Sequence, residues 1–347
     1  MMENYKRVKI YYFTGTGNAL NVARWFQHVA IERSIECVVT NITEIESLEA
    51  ENNDTETLVV IISPVHGFNY PPIMIHFISH FPRGKRPIVL MNTRAGMLIG
   101  KWVTPGLSGI SFYFAATILK LKGYSIAGLC AVDMPSNWFS AHPGLNDRTI
   151  LFIHNKMKLR VMDFAQKILD RKKSYVPVRE IIQDVAISPI ALLYFFMGRF
   201  VLAKTFFASN QCDACGLCVN KCPVKAITMI NQKPFWKLNC ESCMKCMSNC
   251  PKKAIETAHG LIVFTAVLFH LGVLGILNYF FSEEITHINP FLYNWIIQSL
   301  LFIALLVVCY RLMHFLKRYR WFEKLLVYTS LTHYKFWGKR YRALKNF

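Results

Sequence analysis

The chain has 347 residues, a formal net charge of +19 and 53% hydrophobic residues, a high hydrophobic share for a soluble protein. It carries eleven cysteines and no segment typical of a cleaved secretory signal, which argues against a small secreted disulfide framework. The positive charge is concentrated near the C terminus, where residues 311–347 hold ten Lys or Arg and one Glu. Such a tail, after apolar segments, favours contact with a membrane surface over contact with nucleic acid.

The first 170 residues alternate short apolar segments with longer segments of helical character. Short apolar strands separated by helices are typical of a parallel sheet that is covered on both faces. The sequence therefore predicts an α/β domain with a doubly wound, five-stranded parallel sheet. We expect strands over 8–13, 35–39, 58–63, 87–92 and 125–132, and helices near 18–32, 71–80, 109–122 and 147–170.

The turn after the first predicted strand has the composition of a phosphate site. It lies between a strand and a helix, where backbone amides and the helix dipole favour an anion. It has neither the lysine of a nucleoside triphosphate loop nor a complete dinucleotide motif, so a mononucleotide phosphate fits it better. The loop resembles the phosphate loop of flavodoxins, T/S-x-T-G-x-T, and departs from it at Ala19. The residues expected to bind the phosphate are Thr14, Gly15, Thr16, Gly17 and Asn18.

Two further loops follow the third and fourth predicted strands, at the sheet edge where ligands bind in open α/β sheets. In flavodoxins these positions hold the flavin ring, so the resemblance implies FMN as the cofactor. Tyr70 or Phe68 is placed to stack on the ring, and the segment 133–138 to close over the same face. Taken singly, each loop is equally well explained as an ordinary turn of Gly, Pro and Asn. The expected contacts of the ring are Pro64, His66, Gly67, Tyr70, Thr93 and Gly96.

Two cysteine runs with the spacing C-x2-C-x2-C-x3-C-P lie in the middle of the chain. This pattern, given twice, is the ligand set of two [4Fe–4S] clusters, in which the fourth cysteine of each run binds the cluster of the other run. A zinc site would not need the repeated x3-C-P tail. Thiolate ligands also indicate a reducing compartment, here the cytosol. We expect one cluster on Cys212, Cys215, Cys218 and Cys250, and the other on Cys240, Cys243, Cys246 and Cys222.

Two segments, residues 260–281 and 291–310, contain no Lys, Arg, Asp or Glu. Each is long enough to cross about 30 Å of hydrocarbon, which predicts a transmembrane helical hairpin. Basic residues flank its outer ends, whereas the connecting loop 282–289 has two Glu and no Lys or Arg. The positive-inside rule therefore places the redox domains on the cytosolic side of the cytoplasmic membrane. A third apolar run, 187–208, contains Pro189 and two basic residues, and we interpret it as an interfacial helix or a packed linker.

The order of these segments resembles the EFR family ferredoxins, in which a flavodoxin-like domain is fused to a two-cluster ferredoxin domain. The resemblance rests on YYFTGTGNA at 11–19 and on the two cysteine runs, and it covers residues 5–257. It implies FMN and two [4Fe–4S] clusters, and no settled substrate. The expected parts are a flavodoxin-like FMN domain (1–175), an apolar linker (176–208), a small α+β ferredoxin domain of the bacterial type (209–259), two transmembrane helices (260–310) and a basic aromatic cytosolic tail (311–347).

These features predict a membrane-anchored iron–sulfur flavoprotein that passes electrons between FMN and the clusters. Membrane lipid is an expected partner and nucleic acid is not, and the sequence identifies neither the electron donor nor the acceptor. One alternative is an enzyme that reduces a quinone or another small acceptor at the membrane, and another is a redox sensor or structural membrane component. The segment 211–259 carries seven lysines against three acidic residues, which predicts cluster potentials less negative than those of an acidic ferredoxin.

Overall fold

The computed structural model describes residues 5–46 and 54–339. The chain divides into two compact units, and the division does not follow the sequence strictly. Among the described residues, the first unit contains 5–46, 54–137 and 145–195, and the second contains 138–144 and 196–339. A short piece of chain between the fifth parallel strand and the next helix therefore belongs to the second unit.

The first unit is built on one sheet. Its main strands are parallel and lie in the order β2-β1-β3-β4-β6, which is the flavodoxin-type order of a doubly wound sheet. The predicted fold class is thereby confirmed. A short strand β5 pairs antiparallel with β4, and β7 pairs parallel with β6. The strands are β1 (Arg7–Tyr12), β2 (Glu36–Asn41), β3 (Thr57–Pro64), β4 (Pro87–Ile99), β5 (Trp102–Thr104), β6 (Ser125–Pro135) and β7 (Ser174–Tyr175).

Helices cover both faces of this sheet, as the continuous apolar strands require. The central strand β3 is fully buried from Leu58 to Ile62, because a parallel strand covered on both faces has no solvent-facing side. Trp25 and Phe26 of the first helix and Ile153 of the fourth belong to the main core. The helices are α1 (Asn18–Glu32), α2 (Pro72–His80), α3 (Ser111–Leu121) and α4 (Asp147–Leu169).

Strand β4 is longer than predicted, and this is a correction to the sequence analysis. The predicted strand ends at residue 92, with Thr93 and Gly96 in a loop. The structure instead continues it to Ile99, in register with β6 as far as Gly96 and paired with β5 beyond that point. Polar residues remain in the strand because they have buried partners: Arg94 Nε donates to Asp133 Oδ1 at 2.6 Å. Gly96 lies against β6 so closely that a Cβ atom there would be 2.5 Å from the Asp133 carbonyl oxygen.

A long apolar helix follows β7, and it starts within the first unit. The helical segment Val176–Ala203, which contains α5 (Ile181–Leu193) and α6 (Arg199–Ala203), is long and apolar enough to cross a membrane. Its first turns nevertheless carry two carboxylates that bind the first unit. Glu180 accepts from Arg94, and Asp184 accepts from the Gly109 amide at 2.8 Å. These polar contacts fix the start of the helix on the edge of the sheet.

The second unit joins the cysteine segment directly to apolar helices. Two further helices, His259–Glu283 and Leu292–Leu316, meet the length and composition of a membrane span. A shared core brings Phe207 together with Leu261, Leu306 and Tyr310 of these helices. Its strands are β8 (Phe206–Ala208), β9 (Ile227–Ile230), β10 (Lys233–Trp236) and β11 (Ile255–Thr257), and its remaining helices are α7 (Leu217–Asn220), α8 (Lys245–Asn249), α9 (His259–Val267), α10 (Leu274–Thr286), α11 (Gln298–Leu316) and α12 (Arg320–Tyr328).

Candidate functional site

The eight cysteines of the two runs line two separate cavities. The two cavities are similar in size. Each receives three cysteines from one run and the fourth from the other run, as a two-cluster ligand pattern requires. We name them by their cysteines: cavity I is lined by Cys212, Cys215, Cys218 and Cys250, and cavity II by Cys222, Cys240, Cys243 and Cys246.

The two runs fold in the same way, because equivalent positions adopt the same unusual backbone conformation. The residue two places after the first cysteine has a positive φ in both runs, +59° at Ala214 and +49° at Ser242. The residue before each short helix is also left-handed, +69° at Gly216 and +58° at Met244. Such turns wrap the loop around a central space and direct successive cysteine side chains towards it.

The fourth cysteine of each run receives a backbone hydrogen bond from the residue four places later. The amide of Ala226 donates to Cys222 Sγ at 3.2 Å, and the amide of Ala254 donates to Cys250 Sγ at 3.3 Å. An N–H directed at sulfur stabilises a thiolate more than a thiol. The geometry therefore suits cysteines that act as anionic ligands, and hydrogen bonds of this kind adjust the potential of a bound cluster.

Burial makes the thiols of cavity II difficult to ionise in the absence of a positive ion. It raises the pKa of Cys240 to about 12 and that of Cys243 to about 11. Within the described parts of the chain, no three His, Cys, Asp or Glu side chains are arranged to hold one metal ion. The four thiols that line each cavity suit a polynuclear cluster, whose iron atoms lie apart.

Trp236 provides an independent sign that cavity II fits a sulfur-rich group. It is fully buried and lines the cavity, yet its Nε1 has no partner at hydrogen-bond geometry among the described residues. A buried indole N–H normally has an acceptor. Burial raises the pKa of the Cys246 thiol well above its usual range, and the N–H of Trp236 opposes that shift. The N–H is thus close to a sulfur that would be a cluster ligand.

The predicted phosphate loop has the backbone of an anion site at the start of α1. Gly17 precedes the helix with a φ of 105°, and its amide donates to Thr14 Oγ1 at 3.0 Å. No acidic residue lies in the first turn, and no described side chain caps the helix. The segment after β6 closes on the loop: Asn18 Nδ2 donates to the Pro135 carbonyl at 2.9 Å, and Asn137 donates to Thr16. Thr14, Gly15, Thr16, Gly17 and Asn18 are all partly exposed.

The loop after β3 is a tight turn, and the ring of Tyr194, which lies outside the sheet, packs against it. His66 and Asn69 close the turn, with a 2.8 Å bond from the His66 amide, and both central residues have positive φ, Gly67 at +54° and Phe68 at +67°. A Cβ atom on Gly67 would lie 2.0 Å from the ring of Tyr194. Only glycine permits this approach, so the ring packs directly on the turn.

The predicted ring contacts occupy different surroundings along this edge. Tyr70 is only 1% exposed and its hydroxyl points to the Met91 carbonyl, so it has no open face in the structure. Pro64 is the last residue of β3, and Thr93 accepts from the Val65 amide at 2.9 Å. Gly96 lies three residues further along β4, against β6. The flavin contacts of these residues stay predictions.

Sequence reasoning missed two features of this edge, Tyr194 and the ion-pair network of Arg94. Arg94 and Asp133 are buried and bonded to each other, and Glu180 binds the same guanidinium. These partners are 39 and 86 residues from Arg94 in the chain, so no local pattern indicates them. For Tyr194, the only signal was one aromatic among several in a segment that was interpreted as a linker.

Comparison with known proteins gave one family match and several distant structural likenesses. A protein-family comparison matches residues 211–255 to the 4Fe-4S dicluster domain. Similar solved structures include oxidised flavodoxin 1 from Bacillus cereus, with 11% identity over 47% of this chain and 97% of that chain and a TM-score of 0.34. A Fusobacterium nucleatum flavodoxin mutant bound to flavin mononucleotide matches with 11% identity over 49% of this chain and 99% of that chain, with a TM-score of 0.30. A flavodoxin from the domain Archaea matches with 10% identity over 46% and 99%, with a TM-score of 0.29. The search of curated proteins gave no match.

The strand order, and not these distant likenesses, defines the flavodoxin-type sheet. The chain therefore joins a flavodoxin-type α/β domain to a 4Fe–4S ferredoxin domain. Within the described residues it also carries three helices long and apolar enough to cross a membrane. This combination supports an electron-transfer iron–sulfur protein.

Proposed function

We propose that the protein is a membrane-anchored electron carrier that passes electrons between FMN and two [4Fe–4S] clusters. The observation that carries the proposal is the crossed arrangement of cysteines, three from one run and one from the other in each cavity. Flavins exchange one or two electrons and iron–sulfur clusters exchange one, so such a chain converts between two-electron and one-electron transfer. Placing both groups in one chain replaces a bimolecular encounter by an intramolecular one.

The residues around the loops would bind and orient the cofactors. The amides and hydroxyls from Thr14 to Asn18 would hold the FMN phosphate at the start of α1. The turn at Gly67 and the neighbouring Tyr194 are suited to contact the flavin ring. The eight cysteines would hold the iron, and the buried side chains that line cavity II would exclude water from it.

Two helices, His259–Glu283 and Leu292–Leu316, would form the membrane anchor, with both redox domains on the cytosolic side. The bonds of Glu180 and Asp184 to the first unit support an interfacial or packed position for the third apolar helix. Labelling of single introduced cysteines in intact cells and in lysed cells tests this topology. A residue in the segment 287–290, between α10 and the next span, should react in intact cells, and a residue in the turn 100–101, between β4 and β5, only after lysis.

Anaerobic purification in detergent, with iron, sulfide and flavin counts, tests the cofactors. We expect about eight irons per chain and one flavin. A Cys215→Ser variant should lose iron, whereas Cys37→Ser, which replaces a cysteine outside both runs, should keep it. Fewer irons than about eight in the unchanged chain would contradict the two-cluster assignment.

A quinone reductase is the second candidate, and one observation favours it. Tyr310 lies in a helix long and apolar enough to span the membrane, and its hydroxyl donates to the carbonyl of Phe206, which lines cavity II. A cluster in that cavity would be held next to a membrane helix. Turnover with a soluble quinone analogue would favour the enzyme, and its absence with every donor would favour the carrier. A purified chain without flavin absorbance would instead favour a sensor or a structural component.

A further inference from the structure

Lys204 is a buried cation, and none of its contacts among residues 5–46 and 54–339 is a carboxylate. The residue is 3% exposed. Its Nζ donates to the Trp236 carbonyl oxygen at 2.6 Å and lies 4.9 and 4.8 Å from the ring centroids of Phe235 and Tyr310. One carbonyl and two aromatic faces stabilise an ammonium only in part. A buried charge without an opposite charge is strongly unfavourable, so the position calls for a counter-charge.

One contact of Lys204, the carbonyl of Trp236, belongs to a residue in the wall of cavity II. Trp236 lines that cavity, as does Phe206. Tyr310 ties the two together, because its hydroxyl donates to the Phe206 carbonyl at 3.0 Å and accepts from the Trp236 amide at 3.2 Å. Lys204 therefore lies directly behind the wall, where its ammonium binds the carbonyl oxygen of Trp236.

The electrostatics of the cavity agree with this position. Burial lowers the pKa of Lys204 to about 8, and negative charge at Cys240 acts against that shift. Cys240 is one of the four cysteines of cavity II. Glu241 lines the same cavity and is 8% exposed, so the wall also contains one acidic residue.

We propose that Lys204 is the counter-charge of the cluster in cavity II and raises the reduction potential of that cluster. The inference rests on the proposed function, because it requires a cluster in the cavity. A cluster held by four thiolates is anionic, and its charge becomes more negative by one unit when it accepts one electron from the reduced flavin. A fixed ammonium in a site of low dielectric stabilises the more negative form more strongly.

Redox titration of the full-length protein, followed by electron paramagnetic resonance, tests this role. Lys204→Met removes the charge and keeps an unbranched apolar side chain. We expect the ratio of reduced to oxidised cluster, at a fixed potential near the midpoint, to fall about tenfold, which is about 59 mV for one electron. Lys204→Arg should stay close to the unchanged protein.

Lys237→Met is the matched control, because Lys237 is exposed and lies three residues before Cys240. Water and salt screen its charge, so the same ratio should change less than threefold. The cluster in cavity I should titrate as before in all three variants. The cluster that disappears in a Cys240→Ser variant identifies the signal of cavity II.

Several results would overturn the role of Lys204. An unchanged midpoint in Lys204→Met with full iron and sulfide content would do so, as would an equal shift of both clusters. If Lys204→Met loses only the cluster of cavity II, retention of that cluster in Lys204→Arg supports the counter-charge, and its loss in both variants argues against it. If the protein without any substitution contained no clusters, the proposed function itself would be overturned.

Discussion

The sheet of the first unit and the cysteine segment of the second are stabilised in different ways. The five parallel strands have six to 13 residues, and the central one is buried on both faces. The cysteine segment has strands of three or four residues and helices of four or five. Elements this short do not bury enough apolar surface to fold alone. The sheet is therefore stabilised by packing, whereas the cysteine segment depends on what its cysteines bind.

The largest expected effect is the loss of one cluster when the fourth cysteine of the other run is replaced. Cys250 lies in the second run but lines cavity I. Cys250→Ser should therefore remove the cluster whose other ligands come from the first run, and the iron content should fall from about eight to about four. Iron and sulfide assays with paramagnetic resonance measure this change.

Cys222→Ser is the reciprocal variant and should remove the cluster of cavity II. The difference between the two regions adds a second readout. After complete removal of iron by a chelator, peptides from 211–255 should exchange amide hydrogen rapidly, while β3 keeps its protection. If both β3 and the segment 211–255 lost protection from exchange, the sheet would also depend on the clusters, which would contradict its stabilisation by packing.

Regular patterns gave good predictions wherever local packing decides the structure. Each of the four predicted helices begins and ends within two residues of the bounds observed for α1, α2, α3 and α4. The agreement is good because each helix has an apolar face that meets the sheet. The doubly wound fold followed from the same pattern and was confirmed by the strand order. The cysteine spacing gives the same grouping of thiols as the lining of the two cavities, and the cluster ligands themselves stay predictions.

Features that depend on distant partners were not predictable. The end of β4 was placed too early, because Arg94 and Gly96 are typical of a loop until Asp133 lies beside them. Lys204 was counted as an interruption in an apolar run, although its environment comes from residues 32 and 106 positions later. The chain order contains no signal for such contacts until the fold is known.

Replacement of Arg94 should be the most damaging polar change in the first unit. Its guanidinium is buried between Asp133 and Glu180. Removing one partner of a buried ion pair leaves an uncompensated charge, so Arg94→Met should destabilise the sheet by about 3 kcal/mol. Hydrogen exchange of peptides from β4 and β6 measures this loss.

Arg160→Met is the control for that variant. Arg160 binds the same Asp133, but its side chain is 36% exposed. An exposed ion pair contributes little, so the control should lose less than about 1 kcal/mol. Equal losses in both variants would show that burial does not decide the effect. A large loss of stability in Arg94→Met alone would show that the stability of this sheet edge depends on polar contacts as well as on packing.

Acidification should weaken the first unit through His154. It is 3% exposed and packs against Trp25, and burial lowers its pKa from 6.5 to about 4. Between these values the unfolded chain binds more protons, so the stabilisation present above pH 6.5 is lost as the pH falls towards 4. Between pH 7 and 5 the loss should be about 2 kcal/mol. Exchange of α1 and α4 amides at both pH values, with and without His154→Gln, measures it, and an equal pH dependence in the variant would exclude His154 as the cause.

The smallest expected effect is a shift of opposite sign to that of Lys204. Glu241 lines cavity II, and its negative charge disfavours the more reduced cluster. Glu241→Gln should therefore raise the midpoint of that cluster by less than about 59 mV, a change of less than tenfold in the redox ratio. The cluster of cavity I should stay unchanged, which the same titration shows. A lower midpoint would mean that the carboxylate acts through structure and not through charge. A higher midpoint in Glu241→Gln, together with a lower one in Lys204→Met, would mean that two buried charges of opposite sign adjust the reduction potential of the cluster in cavity II. The cysteine geometry of that cavity is otherwise the same as that of cavity I.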